Sequence, residues 1–344
     1  MPLPFPNLPP YARGTVHTQL HASRALRDNP LGDPSERELL IWLPPGYEHE
    51  DRRYPCVLFL AAYAATGESF LSRRMQEAAL PSVADRLIEE GCPPFIGVMP
   101  DCMTSLGGSQ YVDSPGLGAY GTYVAREVRA FVDGRYRTTG RWGAVGHSSG
   151  GYGAPSLAMR FPGALHAIAS HAGDMGFDLC FLADIPRALR GIQAAGGLGP
   201  FLERAWEDPD PSADAFAALM ILAMACAYSP DPQAEPLPAR LPFDPLSGEI
   251  DFGVLQSWKA HDPLELVLDP ARAEALRALR LLWLDAGDRD EHGLHLGARR
   301  LSARLGQLGI PHHHEEFRGG HRGLTRRYPL SVPRVVGALL DEEG

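Results

Sequence analysis

The chain has 344 residues, 44% of them hydrophobic and 22% charged, with a formal net charge of −10. That balance is ordinary for a soluble globular protein and excludes a disordered chain, a collagen-like repeat and a disulfide-dense mini-protein. Acids outnumber bases 42 to 32, so nucleic acid is not an expected partner.

The 32 prolines and 37 glycines are scattered without a period and read as turn punctuation. Arginine supplies nearly all the positive charge, with Lys259 the lone lysine. Cys56, Cys92, Cys102, Cys180 and Cys226 are odd in number and form no C-x-x-C pair, so they read as buried free thiols of a reducing compartment. Met1 to Pro10 has neither the basic nor the apolar region of a signal peptide. No run reaches the roughly 18 apolar residues a bilayer span requires. A cytoplasmic, soluble chain is expected, although one trimmed of a leader would read the same way.

In chain order, Thr15 to Leu26 and Glu38 to Leu43 look extended, the second ending in the turn Pro44-Pro-Gly-Tyr47. Then come short apolar runs: Cys56 to Ala61, Phe95 to Met99, Trp142 to Val145, Ala164 to Ala169 and Leu279 to Leu284. Most are continuous rather than alternating, as strands of a parallel sheet covered on both faces are. Helical patterns separate them: Ser72 to Glu90, Tyr120 to Arg135, Ser149 to Phe161, and Leu294 to Leu308 with its apolar face at steps of three and four. Strand alternating with helix predicts one α/β domain over 1–344 with a mostly parallel sheet. The stretch 175–268 lacks a buried strand. It reads as an insertion packed over the sheet, with helices over Ile185 to Ala194 and Ala213 to Ala227 and Pro/Asp-rich joints such as Asp208 to Pro211.

Gly146-His-Ser-Ser-Gly150 follows the strand Trp142 to Val145 directly and precedes a helix. In that setting G-x-S-x-G is a sharp strand-to-helix turn that lifts the Ser148 hydroxyl above the sheet as a nucleophile. A serine needs a base, and the base an orienting carboxylate, in the chain order Ser, acid, His. Downstream, Asp285-Ala-Gly-Asp-Arg-Asp-Glu291 ends a strand in a carboxylate-rich loop, and Glu315 to His321 ends an extended segment in a Gly-Gly turn and a histidine. Asp285 reads as held against the sheet edge and Asp288 as an exposed tip. Asp290 comes where the chain folds back, and Asp174 is the outlier. His312-His-His314 does not read as a metal site, because successive strand residues point to opposite faces. His292 and His295 read as solvent or loop contacts and His147 as packing, while His171 follows a strand end where it could line the site but as the base would precede every candidate acid, against the expected order.

Residues 146–153, 284–291 and 315–321 resemble the corresponding motifs of the putative-esterase family of α/β-hydrolases. That family includes S-formylglutathione hydrolases, feruloyl esterases, enterochelin esterases and mycolyltransferase-like antigens. With Pro44 to Tyr47 and Arg53-Tyr-Pro55, the resemblance spans roughly residues 38 to 340. It implies an α/β-hydrolase fold with Ser148 as nucleophile, Asp290 as acid and His321 as base. It also implies backbone N–H groups of Tyr63 and Ser149 as the oxyanion hole. The chain departs from the family at Ala61-Ala62, where His-Gly is common; a backbone donor survives that change if the turn keeps negative φ.

The reading is a serine carboxylic ester hydrolase acting on a small-molecule ester, with no metal and no organic cofactor. An acyltransferase or peptidase using the same residues is the alternative, and an idle binding protein a third class. Homo-oligomers are the one macromolecular partner left open; no membrane partner is expected. Tyr228 and Trp258 of the insertion, with Gln110 and Tyr111 of the Gly-rich loop, are the candidate pocket walls.

Overall fold

The continuous apolar runs become the middle of one eight-stranded sheet. In a computed structural model describing residues 13–73, 78–205, 207 and 212–340, the strands are β1 (Thr15–Ala22), β2 (Glu36–Leu43), β3 (Tyr54–Leu60), β4 (Ile96–Pro100), β5 (Asp113–Ser114), β6 (Gly118–Ala119), β7 (Thr138–His147), β8 (Ala167–His171), β9 (Leu281–Gly287) and β10 (His313–Phe317). β5 and β6 form a separate ribbon; the main sheet has the order β1-β2-β4-β3-β7-β8-β9-β10. Pairs from β4 through to β10 are parallel, and β2 alone runs against its neighbours.

β3 shows why its run does not alternate. Cys56, Leu58 and Leu60 enter the core on one face, Val57 and Phe59 the core on the other, each 1% exposed or less. Helices Leu80–Glu89 and Tyr328–Leu339 cover the second face. The first is covered by the helical run 120–133, whose middle is π-helical, by Ser149–Arg160, by Leu294–Gln307 and by the inserted helices.

Both helices on the second face depart from the sequence reading. The one expected from Ser72 starts at Leu80, with Pro81 in its first turn; residues 74–77 lie outside the described part. Tyr328–Leu339 was not foreseen, because Pro329 and Pro333 interrupt its pattern. Pro329 falls in the first turn, where the missing N–H has no intrahelical acceptor to lose.

Pro155 lies inside Ser149–Arg160 and cannot donate to the carbonyl of Gly151. That oxygen accepts instead from Ser170 Oγ of β8 at 2.6 Å, so the helix is fastened to the neighbouring strand.

Between β8 and β9 the described chain adds no strand to the main sheet. Helices Ile185–Ala194 and Ala213–Tyr228 pack together, and Ile221, Leu222 and Trp258 join the same core as Leu58 and Leu60. The joint Asp208 to Pro211 lies outside the described residues. No helix among those residues is long and apolar enough to cross a membrane.

Candidate active site

The turn at Ser148 is strained by its geometry. Ser148 has φ 54 and ψ −126, a conformation non-glycine residues avoid, and its N–H is held by the carbonyl of His171 at 3.0 Å. Two flanking residues must be glycine to close it. A Cβ on Gly146 would lie 2.4 Å from the carbonyl oxygen of Gly150, and one on Gly150 would lie 2.0 Å from that of Leu60. Both obstacles are backbone, so neither can rotate away. Gly150→Ala is expected to prevent the elbow from docking on β3, with soluble expression lost or Tm strongly lowered. A variant as stable as the wild-type chain would contradict this packing.

At the far edge, His321 Nδ1 is 2.8 Å from Oδ2 of Asp290, whose side chain is wholly buried. Asp290 Oδ1 accepts from the N–H groups of His292 and Leu294, which fixes the carboxylate at the helix start. Burial pushes the Asp290 carboxyl up, but the hydrogen bond and charge of His321 outweigh it and hold the acid below its ordinary value. For His321, burial lowers the imidazole, and the hydrogen bond and charge of Asp290, then Asp174 and Glu291, more than offset it, leaving it above 6.5. Glu291 also accepts from the His321 N–H at 2.6 Å, and the His292 ring stands edge-on to the His321 ring at 4.9 Å. Those two neighbours were not legible beforehand.

The other carboxylates go elsewhere. Asp288 is exposed and accepts from the Gly319 N–H at 3.0 Å. Asp285 is 1% exposed and binds His171, Trp283 Nε1 and Arg327 Nε. Asp174 lies near the elbow, 3.4 Å from Ser149 Oγ and 3.3 Å from Gln110 Nε2.

Asp285 belongs to a second hydrogen-bonded set. His171 Nδ1 is 2.6 Å from Asp285 Oδ1, and His171 Nε2 is 2.9 Å from Ser331 Oγ, with His171 and Ser331 at 0% exposure. The order of groups is that of a catalytic triad, sealed under the sheet without access for a substrate. His171 lies against the Tyr328 ring, and Tyr328 Oη is 2.9 Å from Nδ1 of His147, the residue before the elbow serine. Burial, then the charges of His321 and His171, press His147 down to about 3, so it stays neutral.

Ala61, Ala62, Tyr63, Gln110, Tyr111 and Ser149 share one small cleft. The N–H groups of Tyr63 and Ser149 donate to no backbone acceptor among the described residues. Ala61 and Ala62 are not left-handed; the positive φ falls on Ala64, whose N–H reaches the Gly107 carbonyl at 2.8 Å. Substituting His-Gly by two alanines therefore imposes no left-handed strain at those positions. No hydrogen bond joins Ser148 Oγ to His321 among the described residues, and catalytic hydrogen bonds of this kind often form only when substrate binds.

The pocket walls need correction. Tyr228 and Trp258 are 2% and 1% exposed and pack with Phe177 and Phe181 in an aromatic core, with Trp258 Nε1 donating to Ser229 Oγ. They buttress the insertion and present no wall. Tyr111 lines the cleft, but its hydroxyl is committed to the Ala61 carbonyl at 2.7 Å. The insertion meets the site through Phe216, edge-on to Tyr63 at 5.4 Å, and Met224, whose Sδ accepts from Gln110 at 2.8 Å. The histidine run also disperses: His312 binds Ser302 while His313 stacks on Trp283. No three His, Cys, Asp or Glu side chains among the described residues converge as metal ligands.

A family model described as "Putative esterase" matches residues 34–325. No curated protein matches the chain in sequence. Among solved structures, a ferulic acid esterase is similar at 18% identity and TM-score 0.60, covering 95% of this chain and 99% of its own. An S-formylglutathione hydrolase of Agrobacterium tumefaciens is similar at 17% identity and TM-score 0.57, over 95% and 96% of the two chains. A fluorophosphonate-binding serine hydrolase of Staphylococcus aureus follows at 15% and 0.58, over 95% and 99%.

Proposed function

The chain belongs to the Putative esterase family, and from that premise we propose that it is a serine carboxylic ester hydrolase working through an acyl-enzyme. The observation that carries the reading is the Asp290–His321 pair at 2.8 Å, on loops that follow β9 and β10, in the same molecule as the strained Ser148 turn. His321 takes the Ser148 proton as Oγ attacks the ester carbonyl. The tetrahedral oxyanion is met by the Ser149 and Tyr63 N–H groups, the alcohol leaves with the proton from His321, and water repeats the sequence on the acyl-enzyme. Asp290 holds the Nδ1–H tautomer and steadies the imidazolium. The route uses no metal and no organic cofactor. The five unpaired, buried cysteines support a cytoplasmic setting.

The test is hydrolysis of p-nitrophenyl butyrate, with a fluorophosphonate probe located on Ser148 by mass spectrometry. The base must be neutral to act, and His321 is held above 6.5, so it stays protonated to a higher pH than a free imidazole. The acid limb of kcat/KM is therefore expected above pH 6.5. No turnover, or a label on another serine, would remove the proposal.

A further inference from the structure

Asp174 is a buried acid that the mechanism leaves without a task. It follows β8, is 6% exposed, and both its hydrogen bonds fall on Oδ2, from Gln110 Nε2 at 3.3 Å and Ser149 Oγ at 3.4 Å. Both are long and neutral, and Oδ1 accepts from no group among the described residues. No arginine and not the lone lysine is among its partners, although a buried carboxylate ordinarily has one.

Gln110 carries an acceptor without a partner. It is 1% exposed, its Nε2 is used by Asp174 and by Met224 Sδ at 2.8 Å, and its Oε1 is buried with no partner. Flipping the amide would set its oxygen against the carboxylate, so Oε1 must be the open atom. Gln110 and Tyr111 both adopt left-handed backbone, at φ 53 and 55, a strain that proteins keep mainly at functional sites. Gln110 and Ser149 line the cleft beside the proposed oxyanion donors.

A buried amide oxygen without a partner, on the residue that also donates to a carboxylate paired with no arginine or lysine, calls for a ligand rich in donors, and an ammonium supplies three together with a positive charge. The position adds a second reason. An ionised carboxylate one side chain from the Ser149 N–H opposes the oxyanion that forms on a neutral ester, whereas a bound cation offsets it. Burial lifts the Asp174 carboxyl to about 6, against the opposing charge of His321, so it is still ionised at neutral pH. The charged or titratable groups acting around it are His321 and Asp290, with Cys180 and Tyr228 beyond, and only the imidazole can carry positive charge.

We propose that Asp174 and Gln110 form a subsite for a protonated amine carried by the ester substrate close to its reacting carbonyl; this rests on the ester-hydrolase reading above. The amine can belong to the acyl or the alcohol part, and isosteric probes separate the two. p-Nitrophenyl β-alaninate is compared with p-nitrophenyl butyrate, and 2-aminoethyl acetate with propyl acetate, at pH 7. In one of the two pairs the ammonium ester is expected to have a kcat/KM at least tenfold higher, and Asp174→Asn to shrink that ratio by tenfold or more. A ratio near one in both pairs, or a preference that survives Asp174→Asn, overturns the subsite while Ser148-dependent hydrolysis of butyrate leaves the esterase reading intact. Absence of all ester turnover would instead strike the esterase reading. Should Asp174→Asn not fold, inhibition of the wild-type protein decides: n-propylammonium is expected to compete with p-nitrophenyl butyrate at least tenfold more strongly than n-propanol. Equal inhibition would mean that the site does not favour a cation, and the proposal fails.

Discussion

Ser148→Ala is expected to lower turnover of p-nitrophenyl butyrate by about 10⁴-fold or more, as losing the nucleophile of a coupled triad does, while leaving the fold and Tm close to wild type. The hydroxyl makes no hydrogen bond among the described residues, and alanine differs from serine only in lacking it. The informative control is Ser331→Ala. Ser331 stands at the end of the buried Asp285–His171–Ser331 set, whose contacts of 2.6 and 2.9 Å would pass for a triad on distance alone. It lies inside the helix Tyr328–Leu339 at 0% exposure, where an ester cannot reach it. Its loss leaves one buried acceptor, His171 Nε2, unsatisfied, which costs about 1–3 kcal/mol of stability. Activity per folded molecule is expected to survive it. Full activity in Ser148→Ala, or its collapse in Ser331→Ala with the fold intact, would transfer the chemistry to the wrong serine and end the mechanism above.

What the chain discloses in advance follows from how local each feature is. The elbow is written in the consecutive residues Trp142 to Gly150, because the strand, the two obligatory glycines and the helix start are contiguous. The central strands are equally plain, since burial on both faces leaves an unbroken apolar run. Asp290 and His321 are 31 positions apart, and the stretch from Asp285, near the end of β9, to the helix at Leu294 offers three aspartates. The resemblance implies Asp290, and the folded chain shows that carboxylate against the imidazole. Asp174 hides because its partners Gln110 and Ser149 come from different elements. Tyr228 and Trp258 misled because an aromatic side chain reads alike whether it lines a cleft or fills a core, and four rings of the insertion chose one another. The sealed set around His171 could not be anticipated at all: its members lie on β8, on β9 and on a helix whose two prolines concealed it.

Asparagine placed in turn at Asp290, Asp288 and Asp285 is expected to give three different outcomes, each set by what the carboxylate holds. Asp290→Asn preserves size and the acceptor for the His292 and Leu294 N–H groups, but its amide can turn a donor toward Nδ1 and favour the wrong tautomer of His321. A loss of about 10⁴ in kcat is the expected scale, that of the corresponding serine-protease substitution. The hydrogen bond and charge that hold His321 above its ordinary value would go as well, so any residual activity should show its acid limb at lower pH. Asp288→Asn keeps an oxygen for the Gly319 N–H at an exposed site and should change kcat less than threefold, a difference worth about 0.6 kcal/mol. Asp285→Asn removes the negative charge that faces Arg327 and His171 in the core, and breaking a buried pair on one side costs about 3–5 kcal/mol. Its signature is therefore thermal, a Tm lower by roughly 10 °C, with near-normal turnover per folded molecule in the cold. Kinetics beside a melting curve on all three proteins separates these effects. A collapse of kcat at Asp288 with Asp290→Asn almost unaffected would show that the loop after β9 orients a different carboxylate toward the base in solution. A Tm drop at Asp290 as large as that at Asp285, without the kinetic loss, would make the Asp290–His321 contact a structural bond.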